Sequence, residues 1–115
     1  MLPTLARLLL LLAGHALCDY PLQGDFLARG KNRTAPIAGI PWWQCLTAHA
    51  LIHAGMVYLV TRSLWFALAE LVIHWLTDYS RCEGWFGSGS STTNARAFNI
   101  DQAIHVACKI AWAFL

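Results

Sequence analysis

Charged residues are scarce in this chain. They make up 12% of its 115 residues, whereas hydrophobic residues make up 57%, so the charged share is about half of that in a typical soluble domain. A small domain has a large surface to cover with few polar side chains. The composition therefore favours an integral membrane protein, with a soluble apolar bundle covered in an oligomer as the alternative. The net charge of +2 is too small and too scattered to indicate nucleic-acid binding.

Paired cysteines and phosphate-binding loops are also missing. Cys18, Cys45, Cys82 and Cys108 stand singly, with no C-x2-C spacing. We therefore expect no disulfide framework and interpret the cysteines as packing residues. The polar run Gly87–Thr93 lacks the lysine of a phosphate-binding loop and is interpreted as a flexible linker. The sequence has no internal repeat.

Uninterrupted hydrophobic runs are lacking as well, because every apolar segment contains polar residues. Four such segments can be delimited, at residues 4–20, 42–60, 64–79 and 97–115. Their lengths are near the lower end of what crosses the hydrocarbon core of a bilayer, and in lipid their polar residues should face the bundle interior. The sequence therefore predicts one domain over residues 1–115, of the all-α class, folded as a four-helix up-down transmembrane bundle.

Several residues mark the ends of these helices. Tyr20 precedes a proline, which disfavours a helical conformation at that position. Trp42 begins an aromatic pair of the kind found at membrane interfaces. Residues 61–63 form a predicted tight turn, and Asn99 is a reasonable N-cap for the last helix. Residues 22–28 are a candidate for a short interfacial helix between the first two segments.

The distribution of basic residues predicts the orientation. The connections after the first and third helices carry most of them, whereas the second turn holds only Arg62 and the N-terminal tail only Arg7. By the positive-inside rule, these two connections lie in the cytoplasm and both termini lie outside. Cleavage of the first segment as a signal peptide after Ala16 would remove His15, but we expect the segment to be retained, because the hydrophobic run continues through Leu17.

The sequence does contain a set of histidines and aspartates spaced four residues apart. The pairs are His15-x3-Asp19, His49-x3-His53, His74-x3-Asp78 and Asp101-x3-His105. Positions i and i+4 share one face of a helix, and in the predicted topology all four pairs lie toward the cytoplasmic end of the bundle. Imidazole and carboxylate ligands suit a divalent metal, zinc first, with manganese or iron as alternatives. These eight residues therefore predict a metal site.

Eight ligands exceed one tetrahedral shell. Either two metal ions bind, or one binds and the remaining groups orient ligands or act as acid and base. Glu70 lies one turn before His74 and is a candidate to orient that histidine or to serve as a catalytic base. Gln23 and Gln102 each follow a motif aspartate. They are candidates to hydrogen-bond a ligand carboxylate or a substrate oxygen, with helix-end capping as the alternative.

Four motifs in this chain resemble those of one domain-of-unknown-function family of small multi-pass membrane proteins from bacteria and their phages. They read His15-Ala-Leu-Cys-Asp19-Tyr-Pro-Leu-Gln23, His49-x3-His53, His74-x3-Asp78-x2-Arg81 and Asp101-Gln102-x2-His105. The motifs extend over nearly the whole chain, and Arg81 stands where the family commonly has lysine. The resemblance implies a helical fold and a location in the bacterial inner membrane, and it implies no particular reaction.

More loosely, the arrangement is similar to inner-membrane proteins classed as metal-dependent hydrolases and to zinc-dependent, phospholipase C-like helical enzymes. This similarity implies hydrolysis of a phosphoester or other lipid-linked bond at the cytoplasmic membrane face, with a metal-activated water as nucleophile. Basic residues near that face either bind an anionic lipid headgroup or only set the topology. They are Arg29, Lys31, Arg33 and Arg81.

Two other functions remain open at this point. The histidines could be axial ligands of a haem, although haem needs only one histidine from each of two helices and gives no reason for the aspartates. Alternatively, the protein is a metal carrier or a non-enzymatic membrane factor whose polar cluster locks the helices together. A homo-oligomer is compatible with each of these functions, because a chain this short can pair with copies of itself.

Overall fold

The fold consists of α-helices joined by short connections. The computed structural model describes residues 2–87 and 94–115, and within these ranges it contains five helices and no strand. The helices are α1 (Thr4–Asp19), α2 (Gly24–Gly30), α3 (Trp42–Thr61), α4 (Leu64–Cys82) and α5 (Ala95–Phe114). The predicted all-α class is therefore confirmed. The predicted linker Gly87–Thr93 lies, apart from its first residue, outside the described residues.

The long helices correspond to the four predicted segments, with differences at their ends. α4 continues three residues beyond the predicted end at residue 79, because no glycine or proline intervenes before Gly84. Gly84 has a left-handed backbone (φ 83°), and its N–H bonds the Arg81 carbonyl at 3.1 Å, which closes the last turn. The short helix α2 lies two residues later than the predicted range 22–28.

The start of α5 differs from the prediction. Asn94 is the N-cap, because its side-chain oxygen accepts a hydrogen bond of 3.0 Å from the N–H of Ala97. Asn99 lies inside the first turns of the helix, so its prediction as the N-cap is wrong. Both asparagines are suitable capping residues, and the earlier one allows an additional turn of helix.

The connection between α3 and α4 is the predicted tight turn, shortened to two residues because Thr61 still belongs to α3. Arg62 ends α3 in the left-handed conformation (φ 57°), and the Ser63 hydroxyl caps α4 by accepting a hydrogen bond of 3.2 Å from the N–H of Phe66. Such a short connection requires the two helices to lie antiparallel and in contact. α1 packs against α3 and α5, and α4 also packs against both, so the four long helices form a closed bundle.

The apolar core occupies one end of this bundle. It consists of Leu11, Val57, Trp112 and Ala113, all buried. Leu11 lies one turn before His15 in α1, and Val57 lies one turn after His53 in α3. The buried histidines and carboxylates therefore lie toward the opposite end of the same interior.

A close contact between α2 and α3 depends on glycine. Gly30 is buried, and a Cβ added to it would lie 2.7 Å from the Sγ of Cys45 in α3. Only a glycine permits this approach without displacing the neighbour. The contact fixes the following residue, Lys31, at the polar end of the bundle.

The outer surfaces of the long helices carry many large apolar side chains. Leu5 and Leu9 of α1, Leu59 of α3 and Trp65 of α4 are each at least 66% exposed. Among the described helices, none is by itself both long and apolar enough to cross a membrane. α1 and α2 meet the length and composition requirement only together, with a bend of 79° between them.

Candidate metal centre

The four predicted pairs lie at the same end of the bundle. In α1 and α4 they occupy the last turns, and in α3 and α5 they occupy early and central turns. Because neighbouring helices run in opposite directions, these positions meet at one level. All five histidines are buried, with at most 4% of their surface exposed. The structure thus brings all eight predicted ligands together.

The first group of candidate ligands joins three helices. It contains Asp19 of α1, His49 and His53 of α3, and His74 of α4, with one ligand atom from each lying within 4.8 Å of the others. Asp19 Oδ1 lies 2.8 Å from His53 Nε2 and 3.3 Å from His49 Nε2. Three buried histidines and a partly buried aspartate at such separations could hold a divalent ion.

Asp78 connects this group to a second one. Its Oδ2 lies 3.3 Å from His49 Nε2 and 3.5 Å from His74 Nε2. Its Oδ1 lies 2.9 Å from His105 Nε2, which is also 3.3 Å from Asp101 Oδ1. Asp78, Asp101 and His105 form the second group, again with ligand atoms within 4.8 Å of one another.

Glu70 makes too many contacts to be a free base. Its Oε1 accepts a hydrogen bond of 2.6 Å from Lys109 Nζ, and its Oε2 accepts one of 2.7 Å from Trp112 Nε1. His74 Nδ1 lies 3.1 Å from Oε1. Although Glu70, His74 and His105 form a third possible ligand group, the carboxylate is already neutralised by Lys109. Of the two roles predicted for Glu70, these contacts favour the orientation of His74.

His15 and Gln102 lie beside the ligand groups. His15 belongs to none of the three groups found among the described residues, and its Nε2 lies 3.0 Å from Gln102 Oε1 and 3.3 Å from Asp19 Oδ2. The Gln102 amide donates hydrogen bonds of 2.8 Å to Asp19 Oδ2 and 3.3 Å to Asp101 Oδ2. Gln102 therefore links the carboxylates of the two groups, as expected for a residue that positions ligands.

Several buried atoms of the cluster lack a hydrogen-bond partner within the protein. They include Nδ1 and Nε2 of His49, Nε2 of His74 and Oδ1 of Asp101. Leaving a buried polar group without a partner costs about 1–3 kcal/mol. Two ligand atoms on one tetrahedral zinc lie about 3.3–3.4 Å apart, which matches the 3.3 Å from His49 Nε2 to both Asp19 Oδ1 and Asp78 Oδ2. The donor types and these two distances fit a divalent metal, whereas the 2.8 Å between Asp19 Oδ1 and His53 Nε2 is the length of a hydrogen bond.

Two adjoining cavities give access to the cluster from the end of the bundle. Their volumes are about 680 and 360 Å³, and they share the lining residues Gln23, Lys31, Asp78, Arg81 and Asp101. Lys31 Nζ donates hydrogen bonds of 2.8 Å to Asp78 Oδ2 and 2.6 Å to Gln23 Oε1. The carboxylates that face the cavities therefore have basic side chains beside them.

Lys31 carries a stable positive charge at this position. Burial lowers the pKa of its ammonium group, but the charge of Asp78 and the hydrogen bond to it outweigh burial, so the pKa lies above its ordinary value. Gln23 holds Lys31 and also donates a hydrogen bond of 3.3 Å to the Asp19 carbonyl. Gln23 thus combines the two predicted roles of contacting the site and capping a helix end. Arg33 instead pairs with Glu83, away from the cluster.

Sequence reasoning did not identify Lys109 and Trp112 as part of this network. Lys109 is completely buried, and both residues contact Glu70. A signal was available, because Lys109 lies four residues after His105 and extends the polar face of α5 by one turn. A lysine in an otherwise apolar segment also calls for a buried acidic partner.

The comparisons with known proteins give one match. No curated protein and no solved structure matches the chain. A family model does match over residues 7–115, a range that includes all four pairs. The expected resemblance to a family of unknown function is thus confirmed. The chain belongs to the family described as Protein of unknown function (DUF3307).

Proposed function

We propose that the protein is a membrane-embedded, metal-dependent hydrolase that cleaves a phosphoester or other lipid-linked bond. One observation carries this proposal. His49 Nε2 is buried 3.3 Å from carboxylate oxygens of both Asp19 and Asp78, without hydrogen-bond geometry to either. A purely structural polar contact would satisfy that nitrogen. A metal ligand instead needs the nitrogen unprotonated and directed at the same point as its neighbours.

The first group supplies the proposed ligands of the ion. Asp19, His49, His53 and His74 would hold it, with zinc as the first choice and manganese or iron as alternatives. The set contains no thiolate, which is common in catalytic zinc sites. When bound, a divalent ion supplies Lewis acidity and lowers the pKa of a water molecule at the site.

Other residues of the chain position these ligands. Glu70 contacts His74 Nδ1 and so directs the Nε2 of that ring toward the cluster. Gln102 binds Asp19 Oδ2, which leaves Oδ1 directed at the histidines of α3. Partners of this kind fix the orientation of metal ligands and raise metal affinity.

The cavities favour an anionic substrate. Lys31 and Arg81 line both cavities, and Arg29 lines the larger one. Lys31 stays protonated near neutral pH because its pKa lies above the ordinary value. Basic side chains beside a metal cluster suit a phosphate group or an anionic lipid headgroup. We therefore propose that these residues bind and orient the negatively charged part of the substrate.

Helix lengths and surface composition support the membrane location. α3, α4 and α5 have 19 or 20 residues, which corresponds to about 30 Å, the thickness of the hydrocarbon core. Glu70, Asp78, Asp101 and Lys109 are buried inside the bundle, and the other two charged residues of these helices, Arg81 and Arg96, lie in terminal turns. The outer faces of the helices are otherwise largely apolar. Membrane helices place ionisable residues inward in this way. The basic connections would put the site near the cytoplasmic face of the bacterial inner membrane.

Hydrolysis of bis(p-nitrophenyl) phosphate by the full chain in detergent tests this function. We expect p-nitrophenolate release that stops after chelation, returns with added Zn²⁺ and is lost in Asp19→Asn. Glu83→Gln is the control, because its carboxylate pairs with Arg33 outside the cluster, and its rate should equal that of the wild type. A rate indifferent to chelation and to Asp19→Asn would overturn the proposal. Stoichiometric metal without hydrolysis would instead indicate a metal carrier.

The ring geometry does not favour haem binding. His53 and His74 stack with centroids 3.8 Å apart, and His74 and His105 stack at 3.9 Å. Two axial ligands of one haem lie on opposite faces of the porphyrin. Imidazole rings stacked this closely leave no space for a porphyrin between them. The visible absorption spectrum of the purified protein checks this expectation, since bound haem gives a Soret band.

A further inference from the structure

The two oxygens of the Asp78 carboxylate face different ligands. Oδ2 lies 3.3 Å from His49 Nε2 and 3.5 Å from His74 Nε2, whereas Oδ1 lies 2.9 Å from His105 Nε2. Oδ2 also accepts the hydrogen bond of 2.8 Å from Lys31 Nζ, so an ion at Oδ2 would share that oxygen with the ammonium group. The side chains of Asp78 and of the three histidines are buried. A carboxylate placed in this way is the usual bridge of two-metal sites, in which the ions lie about 3.5–4 Å apart.

The Oδ1 side of Asp78 has enough ligands for an ion of its own. Asp78, Asp101 and His105 offer atoms within 4.8 Å of one another. None of these three residues belongs to the first group, which has four other members. Three protein ligands with an open fourth position is the arrangement of catalytic zinc sites. The larger cavity reaches Asp78 and Asp101 from outside the bundle.

Unpartnered buried atoms occur on both sides of Asp78. On the Oδ2 side, Nε2 of His49 and of His74 lack hydrogen-bond partners, and on the Oδ1 side Asp101 Oδ1 lacks one. A single ion in the first group would satisfy the two histidine nitrogens. It would leave Asp101 Oδ1 with only His105 Nε2 at 3.3 Å, a nitrogen that already lies 2.9 Å from Asp78 Oδ1. A buried carboxylate oxygen that is paired this poorly is costly.

We propose that the protein binds two divalent ions per chain, bridged by the Asp78 carboxylate. One ion is held by the first group and the other by Asp101 and His105. This inference rests on the proposed function for the presence of metal, and it adds the number of ions and the role of Asp78 as their bridge.

With two ions bound, the cluster has a net charge that suits an anionic substrate. The four carboxylates of the cluster exceed its lysines, Lys31 and Lys109, by two negative charges when the imidazoles are neutral. One divalent ion neutralises this excess, and a second leaves two positive charges. A phosphate dianion in the adjoining cavity would offset them, as electrostatic complementarity requires.

The number of ions can be measured by loading the full chain with Mn²⁺ in the presence of inorganic phosphate. We expect two Mn²⁺ per chain by elemental analysis and an electron paramagnetic resonance spectrum with exchange coupling between the ions. Asp101→Asn should bind one Mn²⁺ and lose the coupling, and so should Asp78→Asn. Glu83→Gln is the control, because this carboxylate pairs with Arg33 outside both groups and lines neither cavity, and it should bind two coupled ions.

The outcomes separate this inference from the function on which it rests. A single Mn²⁺ per wild-type chain at saturation, or two without exchange coupling, would overturn the bridged pair and leave the metal-dependent hydrolase intact. No bound Mn²⁺ at all would overturn both. If Asp78→Asn loses its helical circular dichroism, Asp101→Asn alone decides the matter, since two coupled ions in that variant contradict the second group.

Discussion

Replacing Lys109 by methionine is predicted to destabilise the bundle strongly. Lys109 is completely buried, and its ammonium donates a hydrogen bond of 2.6 Å to the carboxylate of Glu70, which is 1% exposed. Lys109→Met leaves that carboxylate buried without its counter-ion, and breaking a buried pair in this way costs about 3–5 kcal/mol. Protonating an ordinary glutamate at pH 7 instead costs about 3–4 kcal/mol. The free energy of unfolding therefore falls whether the Glu70 carboxylate stays charged or becomes protonated.

Thermal unfolding of the metal-free protein in detergent measures this loss. Metal must be removed first, because a ligand that binds only the native state raises the midpoint by mass action. For a domain of this size, 1 kcal/mol corresponds to about 4 °C in Tm. We therefore expect Lys109→Met to lower Tm by about 12–20 °C.

The double variant Glu70→Gln/Lys109→Met is the control for this prediction. It removes both charges and keeps a side-chain oxygen that can accept the hydrogen bond of 2.7 Å from Trp112 Nε1. Its stability should lie within about 1–2 kcal/mol of the wild type, since a buried pair replaced as a whole is often nearly neutral. The reasoning is refuted if Lys109→Met costs less than about 1 kcal/mol, or if the double variant is less stable than that single variant.

Two further predictions concern residues away from the ligands. Gly30→Ala places a Cβ 2.7 Å from Cys45 Sγ and should lower the free energy of unfolding, measured with denaturant, by about 1–3 kcal/mol. Gly55→Ala is the comparison, because no atom lies within 4 Å of its new Cβ, and it should raise the free energy of unfolding by up to about 1 kcal/mol. The hydrogen bonds from Arg33 hold the pKa of Glu83 below its ordinary value of 4.5. The stabilisation of the folded state by this pair is therefore complete above about pH 4.5 and is lost as the pH falls through the lowered pKa. The stability difference between wild type and Arg33→Met, measured by unfolding at several pH values, should shrink below about pH 4.5; a constant difference would contradict this.

The end of the bundle at which the site lies could be predicted from the sequence, because the position of a residue along and around a helix follows from its neighbours in the chain. Residues four apart share a helix face, and alternating helix direction placed all four pairs at one end, as the structure also has them. The turn at Arg62 was predictable for a similar reason, since it depends on neighbouring residues. The end of α4 and the start of α5 were set by Gly84 and Asn94, whose capping bonds outweighed the hydrophobic pattern.

The pairing within the site could not be predicted. The closest contacts between histidine and aspartate join different helices, at 2.8 Å for His53 with Asp19 and 2.9 Å for His105 with Asp78. Within one helix, His74 and Asp78 are 3.5 Å apart. Which helices are neighbours depends on packing between distant segments, and no local spacing encodes it. The four-residue spacing from His105 could have placed Lys109 on the polar face of α5, but its partner Glu70, 39 residues away, could not be predicted for the same reason.

X-ray absorption at the zinc edge of the purified, zinc-loaded chain tests the metal centre most directly. Each candidate ligand group consists of imidazole nitrogens and carboxylate oxygens, and no cysteine belongs to any group found among the described residues. We therefore expect stoichiometric zinc with nitrogen and oxygen neighbours at about 2.0–2.1 Å and the outer-shell pattern of several imidazoles. In Asp19→Asn the bound zinc should fall, and in Asp25→Asn it should not. Zinc–sulfur scattering at about 2.3 Å, or the absence of stoichiometric zinc, would contradict the metal centre.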